Sequence, residues 1–454
     1  MGNIMKTNAK SLTEGKPMAL ILTFAFPIFA GRLFQMIYSL VDTKIVGSVI
    51  GSSALAAVGS VSILYNLING FLSGLTLGFS VVCAQSFGRG DLERVRKNVA
   101  GTVVLGFLSA FLIVGVTVVL LKPILGWMQV PPEQFEMAYD YILVLLCGMF
   151  ATLAYNICAD VLRAIGDSVT PLFFLIIASV LNVILDYFFV SGLHFGVAGA
   201  AYATVLAQCL SAVLCLLYIR KHYTILHLKK SDFRIEKEMV STLFQNGIAM
   251  GLMSCLVNFG TLILQTGVNG LGETVIVAHT AARKIFEIFC LPVSVLGASM
   301  ATYCGQNFGA GKYGRIKSGM KAVLGIGLCF YVVVVFLSFT VSAHLVGFVA
   351  STSDSEVLYW GSTYLKCNMS FQAVCVLIVI LRNSMQGFGD QKTPVVSSFI
   401  ELVAKIVFTF IFVKQFGYWG VIWTEPVAWI LMVIPLIVMT LKNPVMEKSL
   451  AGKK

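Results

Sequence analysis

The sequence predicts an all-α integral membrane protein of twelve transmembrane helices in two pseudo-symmetric six-helix bundles. Three observations carry this: apolar residues spread along the whole chain, basic residues gathered in alternate connections, and an internal repeat at about half the chain length. Of the 454 residues 58% are hydrophobic and only 12% charged, and the mean hydropathy is +0.89. A soluble domain stays near half apolar and about a quarter charged. A membrane crossing needs about 20 mostly apolar residues. Helices are the default because lipid cannot satisfy open backbone groups. A membrane β-barrel would alternate apolar and polar residues, whereas this chain has long unbroken apolar runs.

Apolar length and flanking charge place twelve spans near 18–46, 53–80, 98–121, 139–160, 171–190, 196–219, 243–269, 274–302, 321–349, 357–381, 393–413 and 418–441. One set of connections carries Arg89, Arg94, Arg96 and Lys97, then Arg163, then Lys312, Arg315, Lys317 and Lys321, then Arg382 and Lys392. The opposite set holds little beyond Lys122 and Lys414, with Glu133, Glu136, Asp354 and Glu356. Basic connections stay in the cytoplasm. The basic tails then join that side, which predicts a multi-pass protein of the cell (inner) membrane with both termini cytoplasmic.

The repeat defines the organisation. Ala84-Gln-Ser-Phe-Gly-Arg-Gly-Asp91 returns as Gly305-Gln-Asn-Phe-Gly-Ala-Gly-Lys312. Gly166-Asp167-Ser-Val-Thr170-Pro171 returns as Gly389-Asp390-Gln-Lys-Thr393-Pro394, at nearly the same offset. Two motifs at nearly one shift mean a duplicated six-span unit whose copies lie parallel. The expected division is residues 1–219 as the first lobe, 220–241 as a cytoplasmic linker and 242–454 as the second. Glycine-rich turns suit tight hairpins, and a proline after threonine suits the first position of a helix.

Other classes fit poorly. The net charge of +11 sits between apolar runs, where it sets orientation and meets anionic headgroups rather than nucleic acid. The 11 cysteines are single and form no Cys-x-x-Cys pair, so they read as small hydrophobes. His194, His222, His227, His279 and His344 lack metal-ligand spacing. No cleavable signal peptide is visible, and the first apolar run is expected to stay.

Three features resemble the multidrug and toxic compound extrusion (MATE) family, bacterial type. Pro27 of the first span is followed by Val41-Asp42-Thr43-Lys44-Ile45-Val46-Gly47 and then by Leu55-Ala-Ala-Val58-Gly59; the two Gln-x-Phe-Gly-x-Gly and two Gly-Asp-x-x-Thr-Pro loops complete the pattern. The resemblance covers essentially the whole chain. It implies a V-shaped pair of helix bundles around a central cavity, and a secondary antiporter that exports organic, often cationic compounds while Na+ or H+ moves inward. No enzyme activity and no cofactor beyond that coupling ion follow. The expected partners are a small organic substrate and membrane lipids, with no nucleic acid, and the chain acts as a monomer.

Acids inside apolar spans are costly and therefore functional candidates. Six stand out: Asp42, Asp160, Asp186, Glu287, Glu401 and Glu425. Asn182 and Asp186 are four apart and share a helix face. Asp186 falls about 22 Å along a helix begun at Pro171, and Thr204 only about 12 Å from the outer end of the next. With Asp42 late in the first span, all four reach similar depth. Two carboxylates, an amide and a hydroxyl make a cage of hard oxygens for an alkali cation; without it, the paired carboxylates favour a bound proton. The resemblance assigns Asp42, Asn182, Asp186 and Thr204 as the coupling site, with Na+ there the sole metal expected. The plainer alternative is a set of buried polar groups capping one another. Pro27 breaks the ladder about four turns before Asp42, as a hinge or as a static kink.

The second lobe does not copy this cluster: the shift that carries Thr170 to Thr393 carries Asn182 to Lys405 and Asp186 to Thr409. Glu401 and Lys405 stand four apart in the favourable order, with Glu425 expected to face them, and Arg283, Lys284, Glu287 and Lys366 add buried charge. This network reads as a structural brace or as a gate. Asp160, one turn from Arg163, reads as a local ion pair. The 33 Phe and 17 Met suit an adaptable pocket, and the 41 Gly close helix approach, without naming a lining. Two other readings fit parts of the pattern: a lipid-linked precursor flippase of the same superfamily, and an intramembrane aspartyl protease using Asp42 and Asp186.

Overall fold

A computed structural model describes residues 10–234 and 236–451, apart from the side chains of 40, 42–44, 46–48, 52–53, 55 and 449–451. The helices in order are α1 (Pro17–Val49), α2 (Ser52–Gly88), α3 (Leu92–Val119), the short α4 (Leu121–Trp127), α5 (Pro132–Ala164), α6 (Val169–Asp186) and α7 (Gly196–His222). There follow α8 (Lys237–Asn269), α9 (Glu273–Gly309), α10 (Tyr313–Thr340), the short α11 (Ser342–Ala350), α12 (Ser355–Ser370), α13 (Gln372–Gly387), α14 (Lys392–Val407), the single turn α15 (Val413–Phe416), α16 (Tyr418–Leu441) and α17 (Pro444–Ala451). Among the described residues no strand occurs. Among the described residues eleven helices are long and apolar enough to cross a membrane, and α12 with α13, bent by 53°, reach that length and apolarity only together, which makes twelve spans if the pair is one.

The spans differ from the expected boundaries where charge meets helix. The third and ninth begin at Leu92 and Tyr313, so Arg94, Arg96, Lys97, Arg315, Lys317 and Lys321 lie on helical turns rather than in connections. A long basic side chain tolerates this by reaching back to the interface, and Lys97 does so onto Glu93 at 3.0 Å. The ninth span stops at Thr340 and restarts as α11, instead of running on to 349. The tenth is broken at Phe371, which no proline announces.

The repeated motifs act as helix starts. Gly166 and Gly389 take φ of +89° and +94°, a region that favours glycine. Asp167 Oδ1 accepts from the backbone N–H groups of Val169 and Thr170, both at 3.0 Å; Asp390 Oδ1 accepts from Thr393 N–H at 3.1 Å. These are N-caps. Pro171 and Pro394 occupy the third helical position, not the expected first; their missing N–H still falls among the donors a helix start leaves unpaired. Asp91 caps α3 in the same way, accepting from Arg94 N–H at 2.9 Å.

The chain divides into two compact units, one of residues up to Ser11 with Thr23–Gly251, the other of Leu12–Leu22 with Leu252–Lys454. The division thus falls inside α8 and borrows the start of α1, away from the 220–241 segment. In the first unit α2 packs between α3 and α5, and α7 lies against α5 and α6, around Leu72, Leu75, Phe79, Leu146 and Met149. The 220–241 segment is folded against this unit. Tyr223 donates to Asp167 Oδ2 at 2.5 Å, and Asp232 stands 3.6 Å from Arg96. Burial, with the Asp167 hydrogen bond, raises the Tyr223 hydroxyl far above its ordinary pKa, so it stays a donor. In the second unit α9 packs on α12 and α13, and α14 on α16. Its amino-terminal strap is held by the second glycine-rich motif: Leu12 N–H donates to Gln306 Oε1 at 2.8 Å, and Arg315 reaches the Gly15 carbonyl at 2.9 Å. Large apolar side chains remain outside, among them Phe26, Phe111, Phe336 and Phe348. That is the surface a helix presents to lipid.

Candidate functional site

α6 is the element that builds the first candidate site. Asn182 is 3% exposed and Asp186 fully buried, one turn apart on its inner face. Asp186 is the last α-helical residue; Tyr187–Gly192 continue as a π-helix. Single π turns of this kind recur at functional sites. From α7, Thr204 Oγ1 accepts a hydrogen bond from Asn182 Nδ2 at 3.4 Å. A small, partly open pocket adjoins Asn182 and Thr204, lined by Tyr38, Leu175, Ala178, Ser179, Asn182, Thr204, Ala207 and Gln208, with no basic side chain among these. Asn182 Oδ1 and Gln208 Oε1 are buried oxygens without a hydrogen-bond partner among the described residues. Such acceptors are expensive unless something donates to them or is coordinated by them.

The structure therefore brings Asn182, Thr204 and Asp186 onto adjoining turns, with Asp186 one turn beyond the cavity wall. Asp42 lies on α1, and its side chain is outside the described residues. Pro27 is buried within α1, which continues helical on both sides. Gln208 and Ser179 join the site without having been expected. Their signal was spacing alone: Gln208 is one turn after Thr204, and Ser179 three residues before Asn182.

Asp160 on α5 belongs to another group. It is 6% exposed, pairs with Arg163 at 2.8 Å and accepts from Thr76 Oγ1 of α2 at 2.8 Å. The hydroxyl across the helix pair was not foreseeable from local spacing.

The second unit holds two charge clusters. Lys405 Nζ is 2.8 Å from Glu401 Oε1 and 3.2 Å from Thr261 Oγ1 of α8; Arg382 of α13 approaches Glu401 at 3.9 Å. Glu425 of α16 does not face Lys405 as its salt-bridge partner. It pairs instead with Arg283 of α9 at 2.7 Å and accepts from the Tyr364 hydroxyl of α12 at 3.1 Å. Glu287 lies 3.8 Å from Arg283 but its side chain is 56% exposed. Lys284 is exposed as well, so neither adds the buried charge expected. Lys366 is half-buried and makes no ion pair among the described residues. Next to Arg283, His279 contacts the Tyr418 hydroxyl at 3.1 Å. Arg382, Tyr364 and Thr261 are network members that sequence spacing did not reveal. Among the described residues no group of three His, Cys, Asp or Glu is arranged to hold a metal.

Known transport proteins resemble the chain over nearly its whole length. The probable multidrug resistance protein YpnP of Bacillus subtilis is 27% identical over 420 residues, covering 91% of this chain and 92% of that protein. The multidrug export protein MepA of Staphylococcus aureus is 23% identical over 409 residues, 90% of each. A solved structure described as the outward-facing conformation of a multidrug resistance MATE family transporter of the MOP superfamily matches with a TM-score of 0.89 at 22% identity, over 99% of both chains. The MatE family profile matches residues 27–188 and again 249–411, two matches in step with the internal repeat. The chain belongs to the MatE family of multidrug efflux transporters, and is a transporter rather than an enzyme.

Proposed function

We propose that this chain is an antiporter that exports organic, drug-like compounds while Na+ or H+ bound in the first half moves inward. The site is Asp186, Asn182 and Thr204, completed by Asp42. The observation that carries it is the buried Asp186 next to a cavity where two amide oxygens, those of Asn182 and Gln208, have no donor among the described residues. A carboxylate with neutral oxygens suits a hard monovalent cation or a proton relayed through water. The wide similarity to YpnP and MepA supports drug-like cargo. In this reading the protein works as a single chain in the cell membrane, both ends cytoplasmic, and Pro27 lets α1 bend as the site fills.

The decisive experiment loads inside-out vesicles with the full-length protein and drives uptake of a cationic dye separately with a Na+ gradient and a pH gradient. One gradient should drive uptake in the native protein and fail in Asp186→Asn. Equal uptake in both proteins under both gradients would remove Asp186 from coupling.

A further inference from the structure

The two halves build their fifth and sixth spans on one plan. α6 and α14 begin at Val169 and Lys392, at the same step of the repeat, and each ends in a π-helical stretch, Tyr187–Gly192 and Phe408–Phe412. The following helices open with the same Phe-Gly-x-x-Gly pattern, Phe195-Gly196 to Gly199 and Phe416-Gly417 to Gly420. Gly196 and Gly417 share φ values of +59° and +57°. A side chain added at Gly199 would press on Phe189, and one at Gly420 on Phe412, both within the preceding π-helical stretch. Positions thus correspond one by one: Asn182 with Lys405, Ala178 with Glu401, and Thr204 with Glu425.

Only the chemistry differs. Where the first half has a neutral amide and a small alanine beside a cavity, the second has an ammonium group and a carboxylate in contact. The Lys405 side chain is 3% exposed and Glu401 9%. Gly260 of α8 makes room for the lysine stem, since a Cβ there would lie 2.9 Å from Lys405 Cδ. Thr261 supplies the hydroxyl that Thr204 supplies in the first half.

We infer that Lys405 is a tethered cation: its ammonium permanently fills, in the second half, the place that the first half leaves for an exchangeable ion. The second half is then always loaded, and ion exchange is confined to the first. Glu401 is the counter-charge, and Arg382 holds its other oxygen at 3.9 Å. An ammonium group and an alkali ion carry the same single charge, so removal of the lysine leaves a site with one carboxylate and one hydroxyl that a small free cation can enter. The inference takes the first-half cation reading as its template, and its test is therefore made in an Asp186→Asn background, where that site no longer contributes.

Full-length protein in lipid nanodiscs is melted with tryptophan fluorescence as the readout. Lys405→Ala should lower the melting temperature. Methylammonium or sodium chloride should restore several degrees, where choline chloride at equal ionic strength does not. Adding Glu401→Gln should abolish that response. A Lys405→Ala protein indifferent to both cations, or a response that survives Glu401→Gln, overturns the inference. Where Lys405→Ala does not fold, Lys405→Met keeps the length without the charge. The inference then requires Glu401→Gln to raise its melting temperature, and an unchanged or lower value refutes it. Sodium response in the Lys405-intact protein, with and without Asp186→Asn, reports on the first-half site separately.

Discussion

The fifth span of the first half and its counterpart in the second meet the same problem, buried polar groups in a lipid-facing bundle, with opposite solutions. On α6 and α7 neutral groups predominate. Asp186 of α6 is fully buried, and the amide oxygens of Asn182 on α6 and Gln208 on α7 have no donor among the described residues. On α14 the charge is answered within the helix, Lys405 standing 2.8 Å from Glu401, as Arg283 of α9 answers Glu425 of α16 at 2.7 Å. The Ser397 and Thr409 hydroxyls have no hydrogen-bond partner among the described residues. A buried charge pair that satisfies itself adds little net stability but is strongly destabilising to break. A polar site with unused acceptors instead changes its energy when an ion arrives. Duplication thus preserved the helical frame, its caps and its π turns, while charge placement gave one half a buried carboxylate beside neutral amides and hydroxyls and the other half paired ions.

Four experiments test that contrast. Asp186→Asn heads them: it should cut ion-driven efflux at least about tenfold, a rise of roughly 1.4 kcal/mol or more in activation free energy, with normal membrane expression. Vesicle uptake beside a western blot decides it. Arg283→Met should instead leave Glu425 buried without its partner, costing roughly 3–5 kcal/mol of stability, and Glu425→Gln in the same chain should restore most of it. If the double variant melts no higher than the single one, the pair is not the brace described. Thr204→Val keeps shape but removes the hydroxyl bonded to Asn182, and should weaken the apparent ion affinity by about fivefold, near 1 kcal/mol, with little change in maximal efflux. A dose–response in the coupling ion reads this. The cap comparison comes last: Asp390→Ala should cost about 1 kcal/mol. Asp167→Ala should cost more, because Asp167 also accepts from Tyr223. Equal melting temperatures for the two would show that the Tyr223 contact contributes nothing.

Much of this is legible in the chain, and the reasons are local. Hydropathy places spans because each must bury its own backbone hydrogen bonds. The duplicated motifs stay recognisable because Gly166 and Gly389 need a positive φ and Asp167 and Asp390 need to cap the helix after them. Glu401 and Lys405 can be paired because one helical turn separates them. Elsewhere the helix outruns the hydropathy: Lys97 and Lys317 sit on helical turns that a charge count assigns to connections, and the break at Phe371 has no proline to mark it.

Periodicity, burial cost and repeat spacing all act along one chain, so they are enough to define the membrane class, the twofold organisation and which residues carry charge into the spans. Partnership is settled in three dimensions. Arg283 with Glu425, 142 residues apart, Tyr364 with Glu425, 61 apart, and Thr76 with Asp160, 84 apart, meet because helices distant in the chain pack side by side. No spacing rule reaches that far: which faces of two helices touch is set by the packing of the whole bundle.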